Sequence, residues 1–144
     1  MASEILIYSG GVYQLVWAFA HFKFPKQLDW GNALAPLDDF NRILMLIFSK
    51  LLLFFYLGTA LICFIYARDL PDADLGLALL IFLSLYWLVR ALLQVQYFGF
   101  KKADTLNVQL STSDVSNQTI SYILFIGFLM GFGLFLAPVL LTKF

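Results

Sequence analysis

The chain has very little cysteine, histidine and charge. Its one cysteine, Cys63, excludes an intrachain disulfide and any multi-cysteine metal site. Its one histidine, His21, cannot supply both axial haem ligands within one chain, although a symmetric dimer or a His/Met pair still could. Charged residues make up 12% of the chain, against about a quarter in an ordinary soluble domain. Nine bases balance nine acids, so no net charge draws in nucleic acid or an acidic partner at long range. No aspartate or glutamate lies inside any apolar run. That argues against the membrane-embedded carboxylates of many proton and cation carriers. There is no H-E-x-x-H, Walker A or dinucleotide fingerprint. Nothing here defines a catalytic residue, a metal site or a cofactor.

What is present is apolar surface. Hydrophobic residues make up 62% of the 144 residues, aromatics 18%, and the mean hydropathy is +0.87. The length suits one compact domain. The apolar residues fall into four runs, 5–22, 43–66, 75–98 and 120–141, each long enough to cross a hydrocarbon layer as a helix. The expected fold is all-α, an integral membrane four-helix transmembrane bundle formed by residues 1–144. The first run has a cleavage-site mimic at Ala18-Phe19-Ala20. Its lead-in, Met-Ala-Ser-Glu4, lacks the basic flank of a signal peptide, so a retained span is expected.

Polar chemistry is concentrated between Trp17 and Arg42. This stretch holds His21, Pro25, Pro36, three acids and three bases. Pro25 is expected to end the first helix. Phe24, Leu28, Trp30, Leu34, Leu37 and Phe40 interrupt its polar residues, which suits a segment at the membrane surface with Trp30 at headgroup level. Asp38 or Asp39 after Pro36 should cap the second span. Asp38 and Arg42 have the favourable i,i+4 order for an ion pair.

Four spans put both termini on one side. Loops one and three then share the other side with Lys23, Lys26, Arg42, Lys101 and Lys102, against Arg68 and Lys143 opposite. The positive-inside rule places those loops in the cytoplasm and both termini outside. Asn117-Gln-Thr119 matches a glycosylation pattern on the wrong side and is read as chance.

Two cations interrupt the spans. Lys50 is expected about 9 Å inside the second run and Arg90 about 12 Å inside the third. Tyr86, Arg90, Gln94 and Tyr97 form one helical stripe, and Gln14, Trp17 and His21 another. If these stripes and Lys50 face inward, they line a cytoplasmic-side pocket for an anionic lipid or other amphiphile. The plainer alternatives are that Lys50 snorkels to headgroups and that Arg90 reaches Asp38, Asp39 or helix-end carbonyls. The fourth run carries Gly127-Phe-Leu-Met-Gly131, a helix-packing G-x-x-x-G whose partner lies in this bundle or in a second copy.

The pattern His21-Phe-x-Phe-Pro-x-x-Leu-x-Trp30, then Leu37-x-x-x-Asn41-Arg42, resembles a motif of small uncharacterised bacterial four-helix membrane proteins. The likeness covers about the first third of the chain. It implies a bacterial inner-membrane setting and a small bundle, and carries no activity. Three functions are expected in order: an amphiphile-binding membrane protein, an accessory subunit of a larger membrane complex, and a quinone- or haem-linked redox protein. Expected partners are membrane lipids and a homodimer or larger complex, not nucleic acid.

Overall fold

A computed structural model describes residues 1–97 and 117–143. Residues 98–116, which include most of the third loop with Lys101 and Lys102, lie outside the described residues. The chain forms α1 (Ala2–Gln27), a short α2 (Trp30–Ala33), α3 (Asp39–Ile65), α4 (Asp74–Tyr97) and α5 (Asn117–Lys143). Four of these helices are long and apolar enough to cross a membrane. The fold is an all-α helical bundle.

α1 runs two residues past Pro25, so the proline does not end it. Pro25 sits in the last turn, where losing one N–H costs little. The helix stops at Asp29, the one non-glycine residue with positive φ (45°) among the described residues. Aspartate tolerates this left-handed conformation by bonding locally, and here its carboxylate accepts from Asn32 Nδ2 at 2.7 Å. Asp38 then caps α3, accepting from the Asn41 N–H at 3.0 Å. That bond holds its carboxyl below the usual carboxylate range. Because Asp38 is occupied by Asn41, Arg42 pairs with Asp39 instead, correcting the expected Asp38–Arg42 pair.

Neighbours follow the order α3, α1, α5, α4 around the bundle. Small residues set the close approaches. A Cβ added at Gly10 would lie 2.8 Å from the Phe135 ring, and one at Gly11 would lie 3.2 Å from Cys63 Cβ. Gly76 seats α4 on the turn after α3, where a Cβ would stand 2.2 Å from the Leu70 carbonyl oxygen. α3 and α4 are the exception, since no Cα of one comes within 8 Å of the other. Large rings bridge that seam: Tyr56 stacks on Trp87 with centroids 5.7 Å apart, and Phe55 meets Tyr86 at 5.0 Å.

These contacts also fix the axial register. At one end Arg68 Nε donates to Glu4 Oε1 at 2.9 Å, and Met1, Glu4, Arg68, Asp72 and Thr142 line one depression. Both chain ends and the α3–α4 turn therefore share that end. At the other end, His21 meets Tyr56 and Gly11 meets Cys63, so Gln27 at the end of α1 is level with about residue 50 of α3. Gly127 packs on Trp17, and Gln94 bonds Ser121, which brings the described ends of α4 and α5 to the same level. α3 begins at Asp39. Its first three turns therefore extend about 16 Å past the level of Gln27.

Candidate functional site

The core at mid-bundle is a cluster of aromatic rings. Trp87 of α4 is fully buried. It contacts Tyr13 (4.9 Å), Trp17 (5.5 Å) and Phe128 (5.7 Å) between ring centroids. The G-x-x-x-G of α5 makes room for these rings. A Cβ at Gly131 would lie 2.8 Å from both Trp87 and Tyr13, and one at Gly127 would lie 3.6 Å from Trp17. The motif's partners are thus within this chain. Tyr13 seals the contact by donating to the Gly127 carbonyl at 2.6 Å.

A polar group of side chains sits on the side of this cluster nearer the α1–α2 junction. Arg90 is half-buried, and its guanidinium lies 4.6 Å from the Phe128 ring centroid, a cation–π geometry. Phe128 in turn meets Trp17 at 4.9 Å. His21 packs against Tyr56 (4.9 Å) and Phe24 (4.8 Å). Its Nδ1 lies 3.1 Å from the Trp17 carbonyl oxygen. A carbonyl only accepts, so Nδ1 carries the proton and Nε2 is left for another partner. The hydroxyls of Tyr56 and Tyr86 bond each other at 2.8 Å across the α3–α4 seam. Among the described residues, no carboxylate pairs with Arg90. Asp38 and Asp39, its expected alternatives, are engaged with Asn41 and Arg42.

The structure sorts the expected site residues. Trp17, His21, Tyr86 and Arg90 converge. Gln94 is buried nearby, its Nε2 donating to Ser121 Oγ at 3.3 Å. Tyr97 is 69% exposed at the end of α4. Gln14 is on the buried face of α1 but about 10 Å further along the helix than His21. It is 0% exposed, and neither amide atom has a partner among the described residues.

Lys50 stands apart from this group. Its side chain is exposed on α3 and turns away from the core. It is level with about the end of α1, whose last turn carries Lys26, and with about residue 92 of α4, since Phe55 meets Tyr86 and Tyr56 meets Trp87. By the same pairings Arg90 is within about one turn of the level of Lys50, about 10 Å before the last described residue of α4.

Tyr56, Phe128 and Trp87 were missing from the sequence-based site. Tyr56 offered a signal: a hydroxyl in mid-span needs a hydrogen-bond partner. Trp87 and Phe128 offered none, since they look like any core ring. Among the described residues, no group of three His, Cys, Asp or Glu side chains is placed to hold a metal.

The fold is that of a multi-pass helical membrane protein. No protein-family model, curated protein or solved structure matches the chain, so the chemistry of the site rests on its geometry.

Proposed function

We propose that this protein binds the anionic headgroup of an amphiphile at Arg90. The observation that carries the reading is a half-buried guanidinium within the α4 span, about 10 Å before the last described residue of that helix, resting on Phe128 with no carboxylate partner among the described residues. A cation within a span is costly unless it faces protein, water or an opposite charge. His21 and the Tyr56–Tyr86 hydroxyl pair stand beside it as hydrogen-bonding groups. Trp17, Phe24 and Phe55 offer apolar walls for a chain. Lys50 has no part in this site.

The bias of Lys and Arg toward the loop-one end supports a site in the cytoplasmic leaflet with both termini outside. The setting we favour is a bacterial inner membrane. Native mass spectrometry of protein purified in mild detergent tests the binding. The expected result is an adduct of defined mass whose released component is an anionic amphiphile, lost in Arg90→Gln. A bare mass for the wild type, or an adduct unchanged in Arg90→Gln, would overturn the reading.

A further inference from the structure

Two polar side chains in the middle of the bundle are left over by the fold. Gln14 and Trp87 are both fully buried. Neither Oε1 nor Nε2 of Gln14, nor Nε1 of Trp87, has a hydrogen-bond partner among the described residues. Buried polar groups are almost always paired, and the hydrocarbon interior holds no water to answer them. The helix contacts turn these two side chains toward each other. Gly10 meets Phe135 of α5, and Gly11 meets Cys63 of α3. Gln14 lies one turn on from both, so it faces between α5 and α3, across the bundle toward α4. Its chain neighbour Tyr13 packs against Trp87 over Gly131, which sets Gln14 and Trp87 in one layer.

This layer adjoins Arg90. Trp87 and Arg90 are three residues apart on one face of α4, with the indole about 5 Å deeper in the span. Both lie against Phe128, the indole at 5.7 Å and the guanidinium at 4.6 Å from its ring centroid. The indole N–H only donates, and the Gln14 amide brings two more N–H donors. They call for an acceptor, and the surrounding rings make it an uncharged one. We infer that the amphiphile held at Arg90 carries, about one turn deeper than its anionic group, a carbonyl that accepts from Trp87 Nε1 and Gln14 Nε2. A monoacyl glycerol phosphate has this order of groups, and its free hydroxyl suits Gln14 Oε1. A free fatty acid has no second carbonyl. The inference rests on the Arg90 reading and narrows its ligand class. The way in is the α3–α4 seam, where no Cα of one helix comes within 8 Å of the other. Tyr56 stacks on Trp87 there and is tied across the seam by its 2.8 Å hydroxyl bond to Tyr86. Parting that pair opens the layer toward the lipid.

The test changes the ligand and leaves the protein intact. Binding of a monoacyl glycerol phosphate is compared with that of its ether-linked analogue by native mass spectrometry in mild detergent. The analogue keeps the phosphate, the hydroxyl and the chain but has no carbonyl. The expected result is about tenfold tighter binding of the ester than of the ether. Gln14→Met and Trp87→Phe should each cut that ratio at least about threefold, whereas Arg90→Gln should weaken both ligands. Equal affinity for ester and ether, with both lost in Arg90→Gln, overturns the inference and leaves the Arg90 reading standing. An ester preference untouched by Gln14→Met and Trp87→Phe also overturns the inference, since the carbonyl is then held elsewhere. Binding of neither ligand, or of both regardless of Arg90→Gln, overturns the reading and the inference together.

Discussion

Arg90 and Lys50 are the two cations in the middle of apolar runs, and the bundle treats them in opposite ways. Arg90 points into a site walled by Phe128 and close to His21, Tyr56 and Tyr86. Lys50, within about one turn of the same level, is exposed and points away from the core. Their surroundings differ in the same sense. The rings behind Arg90 pack closely on Gly131, whereas a Cβ at Gly58, about two turns along α3 from Lys50, meets nothing within 4 Å. A charge in a span is therefore a site only after its direction is known. Direction follows from which rings its neighbours carry.

The largest expected effect sharpens that contrast. Gly131→Leu should drive a side chain into Trp87 and Tyr13, costing about 3 kcal/mol of stability through overpacking and abolishing binding at Arg90. Gly58→Leu, on the open face of α3, should be neutral or gain up to about 1 kcal/mol from helix propensity. Thermal unfolding in one detergent compares the two. Equal losses would mean that the two faces are packed alike.

Gln14 comes next. Its amide is enclosed without a partner among the described residues, and an unsatisfied buried amide costs about 1–3 kcal/mol. Gln14→Met keeps the shape and should raise stability within that range. A fall would show that the amide is bonded in the folded protein. Tyr86→Phe removes half of the hydroxyl pair that bridges α3 to α4. It should cost about 1 kcal/mol and loosen the wide seam beside Arg90 without releasing α3 from α1.

The smallest effect belongs to the start of α3. The Asn41 N–H lowers the carboxyl of Asp38 below its ordinary value. Its contribution is therefore complete above about pH 4 and is lost as pH falls through the lowered value. Asp38→Asn keeps an oxygen to accept the N–H and should flatten this slope in an acid titration of helicity.

Much of the fold was legible because membrane helices announce themselves as apolar runs. The boundaries of the four long helices fall within a few residues of those runs, except at the end of α1. There Pro25 suggested a stop, but the chain found a cheaper one in the left-handed Asp29. The stripe of Tyr86, Arg90 and Gln94 was legible from helical spacing, and so was the stripe of Trp17 and His21. The direction of Lys50 was not legible, and the cause is physical. A helix that is apolar on every side gives no periodicity to say which face turns inward, and sequence carries no axial register between helices. That register is set by ring-into-glycine contacts such as Gly131 with Trp87 and Gly10 with Phe135, visible only once the helices are packed.

The central claim, that Arg90 and not Lys50 holds an anionic headgroup, is tested most directly by binding in bilayers. Quenching of tryptophan emission by brominated lipid reports occupancy beside Trp17, and anionic and zwitterionic headgroups can be compared. The account predicts a preference for the anionic lipid that falls at least tenfold in Arg90→Gln and changes less than about twofold in Lys50→Gln, a shift near the noise of about 0.4 kcal/mol. Equal loss in both variants, or no preference in the wild type, would contradict it.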